Sequence, residues 1–195
     1  EPTVEAMYPT GFQTTVTVPA IARRWEGEAR PHHFAGVATV VTKLFGIVRP
    51  HQALFGQKDF QQSVLVQRLV KDLNLGVDIA VRPTVREHDG LAMSSRNVYL
   101  SPDERSRAVT LYKSLQAGAE VIRAGGKDAK TVGLAMAQVV SQESTITTDY
   151  LTVCDPCTLE PVSSVTSRVV LLGAVRLGSV RLIDNLLVST PRRAS

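Results

Sequence analysis

The stretch "ALFGQKDFQQSVLVQRLVKDLNLGVDIAV", Ala53 to Val81, decides the class of fold. "ALF" is a short apolar run that stops at Gly56. "KDFQQSVLVQRLVKDL", Lys58 to Leu73, has the apolar period of a helix, and "VDIAV", Val77 to Val81, has the β-branched content of a buried strand. Upstream, "HFAGVATVVTKLFGIVRP" places Phe34, Val37, Val41, Leu44 and Val48 at spacings of three and four, which predicts a one-sided helix from His33 that stops before Pro50. Helix, strand, helix, strand with short connections is the pattern of a parallel sheet with crossover helices. Residues 1–84 therefore read as part of a Rossmann-like layer, to which "TTVTVP", Thr14 to Pro19, adds a short strand at an edge.

After Pro83 the pattern changes. "SPDE", Ser101 to Glu104, is a capping box with Pro102 at the first helical position, and it opens a helix that runs to Gly125-Gly126. A further helix is expected from Asp128 to about Gln142. "ITTDYLTVCD", "SRVVLLGAVRLG" and "VRLIDNLLV" then read as strands joined by turns. The fold class is thus α/β: a partial Rossmann-like domain over 1–84, a smaller α+β domain with an antiparallel sheet over 85–188, and a tail, 189–195, with Arg192 and Arg193 in a frayed "STPRRAS".

The net charge of +4 raises the question of a polyanionic partner. Residues 1–84 hold nine Lys/Arg against seven Asp/Glu and residues 85–195 thirteen against eleven, so no basic block stands out. Aromatics at 5% are not interleaved with the basic residues, which speaks against a nucleic-acid platform. No apolar run spans a bilayer and nothing reads as a signal peptide, so no membrane partner is expected; a cytoplasmic location is expected, which the reading of the cysteines as reduced fits. Cys154 and Cys157 form a lone Cys-x-x-Cys without the second pair a structural zinc needs; reduced cysteines near a turn are the plainer reading, and no metal ligand set is assigned. The chain opens at "EPTVEAMYP", without Met and already punctuated by Pro, and is expected to be an excised or truncated portion of something longer.

Two stretches have the chemistry of an anion site. In "ALFGQKDFQQ" an apolar strand runs through Gly56 into a helix start, where ligands of open α/β sheets collect and where backbone N–H groups favour an anion. Lys58 adds a charge, and Lys58, Asp59 and Gln62 have the spacing of one helix face. A helix opened by Gly and solvated by ordinary polar residues fits the same letters. In "REHDGLAMSSRNVYL", Arg86 to Leu100, two hydroxyls and an Arg suit a polyphosphate, and Asp89-Gly90 is a turn signal that would let the loop move. A polar connector with local turn bonds fits equally well. His32 and His33 before the Phe34 helix are either anion donors or structural, and Trp25 reads as a packing residue.

Taken together, "RPHHFAGVATVVTKLFGIVRP", "FGQKDFQQ" and "VREHDGLAMSSRNVYLS", in this order and spacing, resemble the pantothenate synthetase (pantoate–beta-alanine ligase) family, from about Met7 to the strand near Val188. The resemblance implies a nucleotidyltransferase with a Rossmann-like domain. It implies ATP and Mg²⁺ converting pantoate to a pantoyl adenylate that the amine of beta-alanine then attacks, in a cytoplasmic homodimer. It further implies that Gly56, Gln57, Lys58 and Asp59 contact ATP, that Val85 lies along the nucleotide, and that Met93, Ser94, Ser95 and Arg96 form the loop over its phosphates, with Lys58 and Arg96 catalytic. Gln62 would hold pantoate. Arg30 and His33 match the family pattern, and Val37, Val40 and Val41 could pack on pantoate's methyls, although a valine stripe is first of all core. The family's N-terminal portion with its His-x-Gly-His signature has no counterpart in these residues, so only part of the active site is expected here. The alternatives are another adenylyl-transferring nucleotidyltransferase and a non-catalytic binding domain.

Overall fold

The structure is a computed structural model that describes residues 2–191; Glu1 and residues 192–195, including Arg192 and Arg193 of the expected tail, lie outside the described residues. The chain divides into two compact units, Glu1–Gly56 with Phe60–Arg82, and Gln57–Asp59 with Pro83–Ser195.

The first unit contains the short helices α1 (Val4–Met7), α2 (Pro19–Ala22) and α3 (Glu26–Ala29), then α4 (His33–Val48), β1 (Gln52–Gly56), α5 (Phe60–Asp72) and β2 (Asp78–Arg82). β1 and β2 pair in parallel, from Gln52 opposite Asp78 to Gly56 opposite Arg82, with α5 as the crossover. The helix expected from His33 is present and stops where Arg49, before Pro50, turns into the left-handed region at φ 49°. Its buried stripe is Phe34, Ala38, Val41 and Phe45; Leu44 and Val48 are exposed. α4 packs on α5, and its buried face takes in Ala38 and Phe45 in place of the expected Leu44 and Val48.

Three other expectations for this unit are corrected. Thr14 to Val18 form no strand: the Val16 N–H donates to Thr39 Oγ1 at 3.0 Å, and α2 starts at Pro19. Alternation supplies β propensity, but a strand also needs a neighbouring backbone. β2 is half-buried rather than buried, and Leu54 of β1 is 63% exposed, because among the described residues this sheet has two strands. Finally, Gln57–Asp59 form a 3-10 turn and the α-helix begins at Phe60, so Lys58, Asp59 and Gln62 do not share an α-helical face. Gln61, which the sequence did not single out, is buried. Its amide accepts from Glu26 N–H (3.1 Å) and donates to the carbonyls of Ile21 and Arg24 (2.8 Å each). It thereby satisfies backbone groups that such short helices leave unpaired.

The second unit holds α6 (Pro102–Ala108), α7 (Thr110–Arg123), α8 (Ala129–Ser141), β3 (Ile146–Cys154), β4 (Arg168–Leu177) and β5 (Val180–Ser189). The capping box at Ser101 and Glu104 is complete in both directions. The single helix expected from it is two, separated at Val109. The strands form an antiparallel sheet in the order β3-β4-β5. Leu115, Ile122, Val132, Met136 and Leu171 build one core between helices and sheet, and Leu111, Val175, Leu177 and Leu182 a second. At Gly118 a Cβ would meet Met136 and Leu171 at 2.7–3.2 Å, so only glycine permits this approach of α7 to α8 and β4. Neither cysteine takes part in a disulfide; Cys154 is buried and Cys157 exposed. Among the described residues no helix is long and apolar enough to cross a membrane.

Candidate functional site

β5 is an apolar strand with an acid and an amide at its centre, Asp184 and Asn185, and both are buried, at 5% and 1% exposure. Buried polar groups require partners. Asn185 finds them in the 3-10 turn of the same unit: its Nδ2 donates to the carbonyls of Gln57 (2.9 Å) and Lys58 (3.0 Å), and its Oδ1 accepts from Gln57 Nε2 (3.2 Å). The turn is thereby fastened to β5, and the Gln57 side chain is used in the fastening.

Asp184 binds Arg86 through both oxygens, at 2.6 and 3.0 Å. Burial pushes the Asp184 carboxyl up, and the bidentate guanidinium and the Asn185 N–H at 2.7 Å act against it. Arg86 also stacks on the Tyr112 ring (3.9 Å) and donates to Gly90 O (3.0 Å). It belongs to a tight hairpin closed by Met93 N–H to Val85 O (2.9 Å) and Glu87 N–H to Leu91 O (2.8 Å). At its tip Gly90 has φ +99°, and a Cβ there would collide with the Tyr112 ring.

Arg105 of α6 clamps the hairpin from outside, donating to Asp89 (2.7 and 3.1 Å) and to Glu87 (2.8 Å). The Arg105 hydrogen bonds hold the Asp89 carboxyl down at about 2 and also lower that of Glu87. Asn97 Nδ2 adds bonds to Ala92 O (3.1 Å) and Glu87 Oε1 (3.3 Å). The turn expected at Asp89-Gly90 is present, and it is held by ion pairs and a glycine fit.

The hairpin delivers the chain into Met93-Ser94-Ser95-Arg96. Ser94 Oγ accepts from Arg96 N–H (3.2 Å) and opens a 3-10 turn, Ser95–Tyr99. The polar-turn reading of these residues is thus correct locally. It leaves the Ser94 proton, the Ser95 hydroxyl and the Arg96 guanidinium available, because Ser94 is used as an acceptor and the other two groups make no side-chain hydrogen bond among the described residues.

Lys58, Ser94, Arg96, Asn97, Tyr112 and Asp184 line one recess of this unit. The Lys58 side chain is only 16% exposed, yet its ammonium lies 3.9 Å from the nearest carboxylate, that of Asp59, and donates no hydrogen bond among the described residues. Arg181 also lines the recess and is oriented by Asp149 at 2.6 Å, at the bulge of β3 between Thr148 and Tyr150. Three cations face one carboxylate that is already bound to Arg86, so the recess suits an anion with several oxygens. A magnesium ion fits less well. Among the described residues no three His, Cys, Asp or Glu are grouped for a metal, and both oxygens of Asp184 are taken.

Of the residues singled out in the sequence, the second unit brings together Lys58, Ser94 and Arg96. Asp59 and Ser95 are exposed beside them in the chain, Gln57 faces β5, and Val85 and Met93 are exposed residues joined by their backbones. The first unit holds Gly56, Gln62, Arg30, His33, Val37, Val40 and Val41. Gly56 is extended at φ −79° with open space before it, so it is not needed for a left-handed turn. Gln62 is half-buried and its amide makes no hydrogen bond among the described residues. Arg30 Nη1 and His33 Nε2 lie 3.2 Å apart. Val37 and Val40 are half-buried on α4, while Val41 is core.

The sequence model of the pantoate-beta-alanine ligase family matches residues 1–187. The chain belongs to this family. Pantothenate synthetase of Acetivibrio thermocellus is 50% identical over 187 residues, covering 96% of this chain and 66% of that protein. The chain thus spans about two-thirds of the length of such curated relatives. The crystal structure of the Thermus thermophilus pantothenate synthetase superposes with a TM-score of 0.91 at 46% identity, covering 95% of this chain and 67% of that one. The Francisella tularensis pantoate-beta-alanine ligase, solved in complex with beta-gamma ATP and beta-alanine, superposes at 0.69 with 30% identity, covering 94% of this chain and 61% of that one. The family's α/β architecture, with a nucleotidyltransferase-like domain and a small α+β domain, is that of this chain.

Sequence reasoning missed Arg86, Tyr112, Arg105, Asp184 and Asn185. A signal existed for the last two. An adjacent acid and amide inside "VRLIDNLLV" break the pattern of an apolar strand and call for buried partners. Arg105 and Tyr112 carry no such mark, because ordinary helices contain both.

Proposed function

We propose that this chain serves the ATP-dependent condensation of pantoate with beta-alanine to pantothenate, and that the recess around Lys58 and Arg96 takes the phosphates of ATP. The observation that carries the reading is a largely buried Lys58 side chain whose ammonium has no hydrogen-bond partner among the described residues, in one recess with Ser94 and Arg96. A cation without a hydrogen-bond partner is free to bind an incoming oxyanion, and family membership supplies the substrates.

In the reaction, the pantoate carboxylate attacks the α-phosphorus, the bond to pyrophosphate breaks, and a pantoyl adenylate forms. The amine of beta-alanine then attacks the acyl carbon, AMP leaves, and the amine gives up a proton. The first step builds negative charge on the phosphoryl oxygens and on pyrophosphate. Lys58 and Arg96, carried on backbones that are anchored before the substrate arrives, are suited to stabilise that charge, with Ser94 and Ser95 as hydroxyl donors. Gln57 and Asp59 complete the turn, and Val85 and Met93 offer apolar surface to the nucleotide. Gly56 leaves open backbone, and Gln62 is the pantoate ligand, with Arg30, His33, Val37, Val40 and Val41 as further contacts. Mg²⁺ enters with the nucleotide as its counter-ion, since the residues of the recess do not build a resident metal site. The same reading extends to a cytoplasmic homodimer acting on small molecules.

The test is calorimetry with ATP on the chain, its Lys58→Ala variant and its Arg96→Ala variant. Each substitution is expected to weaken ATP by roughly ten- to a hundredfold, the equivalent of a charge-assisted hydrogen bond. Unchanged affinity in both would overturn the assignment. Pantoate-dependent ATP–pyrophosphate exchange separates this reaction from other adenylyl transfers. Pantothenate formation by the chain alone decides whether the portion it shares with its relatives suffices for turnover.

A further inference from the structure

We infer that Asp184 and Asn185 are a bracket, two adjacent positioning residues on β5 that hold the two halves of the anion recess at a fixed separation. Successive residues of a strand project to opposite faces, so a dipeptide can fasten two different elements. Asn185 fastens the turn: its amide spans the carbonyls of Gln57 and Lys58 at 2.9 and 3.0 Å, which fixes the backbone from which the Lys58 side chain departs. Asp184 fastens the hairpin: its carboxylate fixes Arg86, and Arg86 holds the tip through Gly90 O at 3.0 Å, upstream of Ser94 and Arg96. The two holds are joined. Asp184 Oδ1 accepts from the Asn185 N–H at 2.7 Å, and Arg86 Nη2 reaches Asn185 O at 3.4 Å.

Stability alone does not call for this arrangement. The other buried residues of β5 are Val180, Leu182 and Val188, and a leucine or valine would fill either position without a buried polar group. An amide that bonds two successive carbonyls restrains a backbone turn, which packing by an apolar side chain cannot do. The two cations that this restraint serves, Lys58 and Arg96, have no hydrogen-bond partner among the described residues to hold them. Their separation is therefore set by the backbones that carry them, and those backbones are set by β5.

The positional half of this inference stands without any ligand; its binding half rests on reading the recess as an ATP-phosphate site. The experiment uses the full chain and two variants, Asn185→Ser and Asp184→Asn, in amide hydrogen exchange and in calorimetry with ATP. Asn185→Ser is expected to speed exchange locally at residues 57–59, and Asp184→Asn at residues 86–93, with β4 unchanged in both. Uniform acceleration across the unit, or none at those residues, overturns the bracket.

In calorimetry Asn185→Ser is expected to weaken ATP about tenfold in the parent chain and by less than about twofold in a Lys58→Ala background, because a residue that acts through Lys58 has nothing left to position. Equal weakening in both backgrounds marks a merely structural residue and overturns the binding half. If Asn185→Ser does not fold, Gln57→Met removes the side-chain arm of the same fastening, Gln57 Nε2 to Asn185 Oδ1, with a smaller rise in exchange expected at residues 57–59 and none there overturning the bracket. If the parent binds ATP no better than Lys58→Ala, the phosphate reading fails by itself, and the exchange pattern still decides the bracket.

Discussion

The turn that carries Lys58 and the hairpin that leads into Arg96 are anchored to the same strand by different forces. The turn is held by a neutral amide, Asn185, and among the described residues by no ion pair to β5. The hairpin is held by charge: Arg86 on Asp184 inside, Arg105 on Glu87 and Asp89 outside. A neutral hold is indifferent to pH and salt over the working range, whereas an ionic hold depends on both according to its burial. One side of the recess is thus a fixed post and the other a clamp with titratable screws.

The largest effect that would break this contrast is expected at the buried pair. Arg86→Met leaves the Asp184 carboxylate buried without its partner and should cost about 3–5 kcal/mol in urea denaturation. Combining it with Asp184→Leu should recover most of that loss, since the uncompensated charge is then gone. A loss below about 1 kcal/mol for Arg86→Met would mean that the hairpin does not depend on this ion pair.

Next comes the hairpin tip. Gly90→Ala forces a side chain into φ +99° and into the Tyr112 ring. It should destabilise by about 1–3 kcal/mol and raise hydrogen exchange at residues 86–93 while residues 57–59 keep their protection. Loosening of both would show that the two holds are not separable.

The smallest effect is acid release of the outer clamp. Asp89 is depressed from 3.8 to about 2, first of all by its hydrogen bonds to Arg105. A carboxyl lowered in the folded state contributes its stability fully above its unfolded pKa, and that contribution disappears as pH falls through the folded value. The Arg105–Asp89 arm should therefore be intact above pH about 4 and open toward pH 2. Carboxyl titration by NMR should place Asp89 near 2 in the parent and back toward 3.8 in Arg105→Ala. The clamp is partly exposed, so its effect on global stability should stay below about 1 kcal/mol and fall with salt.

How far the letters reached depends on the range of the interaction. "SPDE" specified its capping box because both hydrogen bonds close within three residues. "ALFGQKDFQQSVLVQRLVKDLNLGVDIAV" specified strand, helix and parallel strand through local periodicity. "TTVTVP" misled for the complementary reason: its alternation is local, but the missing ladder is not. The same limit applied to the site. Lys58, Ser94 and Arg96 were visible as chemistry, whereas Asn185 is 127 and 128 positions from the carbonyls it holds, and Asp184 is 98 from Arg86.

The sequence by itself determined the α4 helix, the β1-α5-β2 order, the three C-terminal strands and the family, because each of these is written in neighbouring residues. The tertiary structure alone decided that the Lys58 turn belongs with the second unit, that the Asp89-Gly90 loop is pinned, and that a buried acid and amide on β5 reach both halves of the recess. A buried polar side chain announces in the sequence that it needs a partner; only the folded chain shows which one it has.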